Sequence, residues 1–144
     1  PCGCGGTGCV EQYAGLPALL SDAAATDLPA LRAAARRGDA SVTAALERAG
    51  ATLGVALSSV INVVDLTTVV LGGTYAELAD SMVPAVREEI VRRCPTVAPD
   101  LRVTASAHGP LATAIGAARA ALGQVVDDPD RLLGTRTAED PSIA

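Results

Sequence analysis

The chain has no phenylalanine or tryptophan, and its only tyrosines are Tyr13 and Tyr75. Its apolar half is therefore almost entirely Ala, Val, Leu and Ile, side chains that suit close packing of helices. Positive charge is also scarce. Eleven Lys and Arg against sixteen Asp and Glu leave a net charge of −5 at pH 7, which excludes a nucleic-acid surface within these residues, because phosphate contacts come from clustered basic side chains. No run of about 20 apolar residues is uninterrupted, and no basic segment leads into a short apolar run and a cleavage site. A soluble cytoplasmic protein without a membrane partner is the expectation. Methionine occurs only at position 82 and the chain opens on Pro1, so these residues are expected to be the tail of a longer protein. Their number, 144, leaves room for one domain.

Cysteine is rare but concentrated. Three of the four fall at Cys2, Cys4 and Cys9, separated by Gly3, Gly5, Gly6 and Gly8. Cys2 and Cys4 lie too close in sequence to bridge comfortably, and buried thiols seldom cluster on a glycine loop. Metal binding fits better: glycines let the backbone turn tightly, and thiolates at this C-x-C-x4-C spacing can converge tetrahedrally on zinc. Three ligands leave one place to fill. The only histidine, His108, lies far along the chain beside Gly109 and Pro110 and is expected to be a capping or surface residue, so an upstream ligand is the better expectation.

Beyond the loop, residues 11–20 read as a short helix broken near Gly15 and Pro17. Thr26 or Asp27 can cap a second helix that stops at Gly38. From 39 to 63 the residues Val42, Leu46, Ala49, Leu53, Leu57, Val60 and Ile61 recur at the helical period, predicting one long helix. Gly50 and Gly54, four apart on it, would let another backbone come close, although each costs about 1 kcal/mol relative to Ala. Residues 66–71 are β-branched and apolar, as in a strand buried on both faces. Gly72-Gly73 ends it, and Thr74 with Glu77 reads as a capping box opening a helix to Arg93. A second strand at 101–105 and a last helix from Pro110 to about 122 complete an α/β alternation. Two strands are few for this many helices, so further strands are expected upstream. Cys94 reads as a free thiol at a helix end, and Tyr13 and Tyr75 as packing residues.

Cys2-Gly3-Cys4-Gly5-Gly6-Thr7-Gly8-Cys9-Val10-Glu11 resembles the signature C-x-C-G-x-x-G-C-x-E of the ROK family, sugar kinases and sugar-responsive repressors, at every fixed position. The helix ending Val60-Ile61-Asn62-Val63-Val64, the strand Val69-Val70-Leu71 with its glycine pair, and the Gly116-Ala117-Ala118 helix follow the same family's C-terminal order. The resemblance covers residues 1–133, with the zinc-binding loop at 1–11 and a mobile tail at 134–144. It implies an α/β fold, the helix-rich C-terminal part of an actin-like (hexokinase-like) ATPase domain with an incomplete sheet. It further implies structural zinc on Cys2, Cys4 and Cys9 with an upstream histidine, a sugar contact from Glu11, and a nucleotide contact along Gly72 and Gly73, where Thr74 and Tyr75 replace a further small residue.

Within the family this chain resembles the regulator branch. The sequence Gly72-Gly73-Thr74-Tyr75-Ala76 and the Asp-Asp-Pro-Asp-Arg-Leu-Leu stretch after the last helix carry that likeness. The implied protein is a sugar-responsive repressor, a homo-oligomer at full length, meeting DNA through an N-terminal helix-turn-helix upstream of this chain. The alternatives are the C-terminal part of an ATP-dependent sugar kinase, whose catalytic aspartate and phosphate loops would also lie upstream, and an interaction module with neither activity.

Overall fold

The computed structural model describes residues 1–129; the expected tail at 134–144 and the expected domain end at 133 lie outside the described residues. The elements in order are α1 (Glu11–Ala14), α2 (Leu16–Asp22), α3 (Leu28–Arg36), α4 (Ala40–Val64), β1 (Thr68–Leu71), α5 (Thr74–Glu77), α6 (Ala79–Arg93), β2 (Arg102–Ala105), a 3-10 turn (Gly109–Leu111) and α7 (Ala112–Asp127).

Local chemistry sets most of these boundaries. The Asp27 carboxylate accepts from the backbone N–H of Ala30 at 2.8 Å and so starts α3. Gly38, with φ of 71°, turns the chain out of it. Asp39 starts α4 by accepting from the N–H and hydroxyl of Ser41, which holds its carboxyl below the usual range. At the far end of α4, Asp65 takes the left-handed conformation and donates its N–H to the Ile61 carbonyl at 2.8 Å.

Helix α4 packs along α6, and its two glycines make the approach possible. A Cβ at Gly50 would lie 2.9 Å from the Met82 carbonyl oxygen, and one at Gly54 would lie 2.9 Å from that of Val86 and 2.7 Å from the Glu89 Cβ. Two apolar clusters flank this contact. One gathers Ala14, Leu19, Leu31, Leu46 and Met82 from α1 to α4 and α6; the other gathers Ile61, Val86, Ile90, Cys94, Val97 and Leu101. Cys94 is buried, with its Sγ 3.5 Å from the Ser58 carbonyl oxygen. Among the described residues α4 is also the one helix long and apolar enough, by length and composition, to cross a membrane. It is a core helix: Val42, Leu46, Ala49 and Ile61 are buried in the clusters, while Glu47 and Arg48 face outward.

The strands pair in parallel, with Thr68 opposite Arg102 and Leu71 opposite Ala105. This bears out the α/β alternation, and the structure corrects four expectations. β1 is not buried on both faces, since Leu71 is covered but Val70 is 57% exposed. Val60, assigned to the core stripe of the long helix, is half-exposed. The helix foreseen from Thr74 to Arg93 breaks at Leu78, whose φ of −112° interrupts it, and no side-chain cap forms at Thr74. Gly73 occupies the N-cap position, and Glu77 turns away to pair with Arg32 on α3. Tyr13, expected to pack, is 54% exposed. Helix α7 buries none of its side chains among the described residues.

Candidate metal centre and its supports

The first nine residues form a loop closed on itself: Cys2 donates its N–H to the Gly6 carbonyl at 2.8 Å, and Gly5 donates to that of Cys2 at 2.9 Å. Gly5 and Gly8 have φ of 87° and 74°, a region that side chains with a Cβ resist. The loop gathers the sulfurs of Cys2, Cys4 and Cys9 within 4.8 Å of one another, with those of Cys4 and Cys9 3.6 Å apart. Thiolates in a tetrahedral zinc site, each about 2.3 Å from the ion, lie roughly 3.8 Å apart, so the three present fit such an ion. A Cβ at Gly6 would sit 3.4 Å from Cys9 Sγ and 3.5 Å from Cys4 Sγ, so glycine there leaves the sulfurs room.

The Gly6 N–H, and after it the neighbouring thiols, hold the Cys4 thiol below its ordinary value; Cys9, hydrogen-bonded to Cys4 and Cys2, is pushed up. The thiolate is the form a metal requires, and the Gly6 N–H favours it at Cys4. No other Cys, His, Asp or Glu among the described residues joins the group. His108 is exposed at the start of the 3-10 turn, as expected of a surface residue.

Loop and first helix are continuous. Gln12 donates its N–H to the Cys9 carbonyl at 2.9 Å, and Glu11 is the first residue of α1, exposed and two positions after the last thiol. Its side chain folds over Gly15, where a Cβ would collide with the Glu11 carboxylate and carbonyl. Gly15 is thereby obligatory, and its extended backbone, ψ 157°, stops α1 after one turn.

Gly72 and Gly73 do not join the thiol cluster. They form the turn between β1 and α5, where Gly73 has φ of 56° and nothing within 4 Å of where a Cβ would be, while a Cβ at Gly72 would meet that of Ala112 on α7 at 3.8 Å. What connects this turn to the cysteine loop is Tyr75, whose hydroxyl donates to the Ala14 carbonyl at 2.9 Å. Burial, and after it the nearby Glu11 carboxylate, push this phenol above its ordinary value. Tyr75 also packs against the first apolar cluster, as expected; the bond is an addition to that reading. In a chain without phenylalanine, the use of an aromatic with a hydroxyl was the available signal.

By its family and its solved neighbours, this thiol loop, parallel strand pair and helices are a helix-rich part of an actin-like, hexokinase-like ATPase domain. The ROK family profile matches residues 1–124, and the chain belongs to the ROK family. Its fold is similar to a ROK family glucokinase from Streptomyces griseus solved with glucose and AMPPNP, at 23% identity and a TM-score of 0.70 over 83% of this chain and 46% of that one. It is similar to a ROK hexokinase from Thermus thermophilus, at 28% identity and 0.67 over 88% and 44%. A ROK family transcriptional regulator, a homolog of the E. coli MLC protein, matches at 22% identity and 0.66 over 72% and 30%. The chain thus spans less than half the length of each. No curated protein matches it.

Proposed function

We propose that the chain is the C-terminal part of a sugar-responsive ROK transcriptional regulator, cytoplasmic and homo-oligomeric at full length. Its DNA-binding helix-turn-helix lies on the N-terminal side. In this reading Cys2, Cys4, Cys9 and an upstream histidine hold a structural zinc ion. When bound, zinc supplies a cross-link that the short loop cannot make for itself. Glu11 then presents an ionised carboxylate, able to accept from more than one sugar hydroxyl. The observation that carries the sugar role is the position of this exposed carboxylate, two residues past a converged thiol cluster and folded over a glycine that admits no side chain.

The regulator branch is favoured by the residues after the glycine pair. Where the kinase pattern has a further small residue, Thr74 opens α5 directly and Tyr75 is committed inward to α1. In a regulator, sugar binding shifts the population between DNA-bound and released forms. The kinase reading keeps one point in its favour, the open space beside Gly73, which suits close approach of an adenosine.

The test uses the full-length protein. Retention of its own upstream DNA, released by glucose or another hexose, with no ADP formed from ATP and that hexose, supports the regulator. Steady ADP formation without DNA retention overturns it in favour of the kinase. Glu11→Gln is expected to weaken hexose binding roughly 10- to 100-fold, the range for losing hydrogen bonds to a charged group; an unchanged affinity would remove Glu11 from the site.

A further inference from the structure

Helix α1 is a single turn of four residues, Glu11–Ala14, too short to sustain itself, since helix nucleation is unfavourable and one turn gains little from propagation. Its orientation must come from the packing of Ala14 and Val10 against the core and from what holds its two ends. At the N-terminal end is the cysteine loop, joined through the bond from Gln12 to the Cys9 carbonyl. At the C-terminal end, where helix carbonyls lack partners within the helix, the Ala14 carbonyl accepts from the Tyr75 hydroxyl at 2.9 Å. Ala14 itself is fully buried. Tyr75 stands on α5, another four-residue helix, tied in turn to α3 by the ion pair of Glu77 with Arg32.

We infer that Tyr75 is a positioning residue for the metal loop and for Glu11: its hydroxyl fixes the end of α1 opposite the thiols, so that the Glu11 carboxylate is held from both sides. The part concerning Glu11 rests on the sugar contact proposed above; the part concerning α1 and the loop does not.

The experiment compares wild type, Tyr75→Phe, Glu11→Gln and the double variant in the full-length protein. Tyr75→Phe keeps the ring and removes only the hydroxyl. Amide hydrogen exchange across residues 11–16 is expected to quicken about two- to tenfold, the range set by one hydrogen bond, while exchange in α4 is unchanged. Release of zinc to a chelator is expected to quicken by a similar factor. With D-glucose as the probe, Tyr75→Phe is expected to weaken binding about two- to tenfold in the wild-type background and to have no effect in the Glu11→Gln background, because the two residues act in series. Equal exchange and equal zinc release in Tyr75→Phe and wild type would overturn the inference whatever glucose does. Faster exchange together with additive effects on glucose affinity would confine Tyr75 to the loop and overturn its role for Glu11. If Glu11→Gln leaves glucose affinity unchanged, the sugar reading fails separately, and the exchange and zinc measurements still decide the anchoring of α1.

Discussion

Replacing Gly54 with alanine sets two effects against each other. On an exposed helix the change is stabilising by about 1 kcal/mol, because alanine loses less backbone freedom than glycine. At Gly54 the new methyl group would lie 2.7 Å from the Glu89 Cβ and 2.9 Å from the Val86 carbonyl oxygen, against a normal carbon–carbon separation of about 3.5–4.0 Å. Neither neighbour is the free end of a side chain. Helices α4 and α6 must therefore separate by roughly 1 Å, loosening the cluster of Ile61, Val86, Ile90 and Cys94. Overpacking of this kind costs about 1–3 kcal/mol, so the net expectation for Gly54→Ala is a loss of up to about 2 kcal/mol. In urea unfolding this is a midpoint lower by up to about 1 M. Gly116 on α7, with nothing within 4 Å of a Cβ, is the control within the same chain, and Gly116→Ala is expected to raise the midpoint. If both substitutions stabilise by similar amounts, the close crossing of α4 and α6 is not what holds this fold together.

Three further outcomes are expected. Asp27→Ala removes the side-chain acceptor for the Ala30 N–H and should cost about 1 kcal/mol; thermal unfolding checks it, and no change would mean that α3 is held wholly by packing. Elemental analysis of the full-length protein should find about one zinc per chain, and close to none in Cys4→Ser; absence of zinc from the wild type would leave the converged thiols without the structural role assigned to them. The folded-state value of the Tyr75 phenol is raised above 10.0, so its contribution to stability is complete below the unfolded value and is lost as pH rises through the folded one. Unfolding midpoints from pH 7 upward should therefore fall more steeply above about pH 10 in wild type than in Tyr75→Phe, and parallel curves would show the phenol to be uncoupled from folding.

Much of this was legible in the sequence where a residue has one physical use. Asp27 and Gly38 set helix ends through a local hydrogen bond and backbone conformation, and the spacing of Gly50 and Gly54 announced the close approach that α6 makes. The thiol spacing gave the cluster. What failed depended on choices between competing partners. Thr74 and Glu77 have the spacing of a capping box, but Gly73 took the N-cap position and Arg32, forty-five residues earlier, took the Glu77 carboxylate. The burial foreseen for both faces of β1 was read from composition, whereas Val70 stays exposed because no described element covers it. Tyr75 packs against the core as its reading foresaw, but its hydroxyl bond was not legible, the acceptor being a backbone carbonyl that no pattern in the sequence marks.

The hydroxyl bond from Tyr75 spans 61 residues, back to Ala14. During synthesis, at roughly 5–20 residues per second, about 3–12 s pass between the emergence of these two partners from the ribosome. For that interval the three thiols are already outside while the Ala14 carbonyl still lacks its hydroxyl donor. An ion captured then, by the thiols and the upstream histidine proposed above, would receive this last constraint only afterwards, when the chain around position 75 arrives.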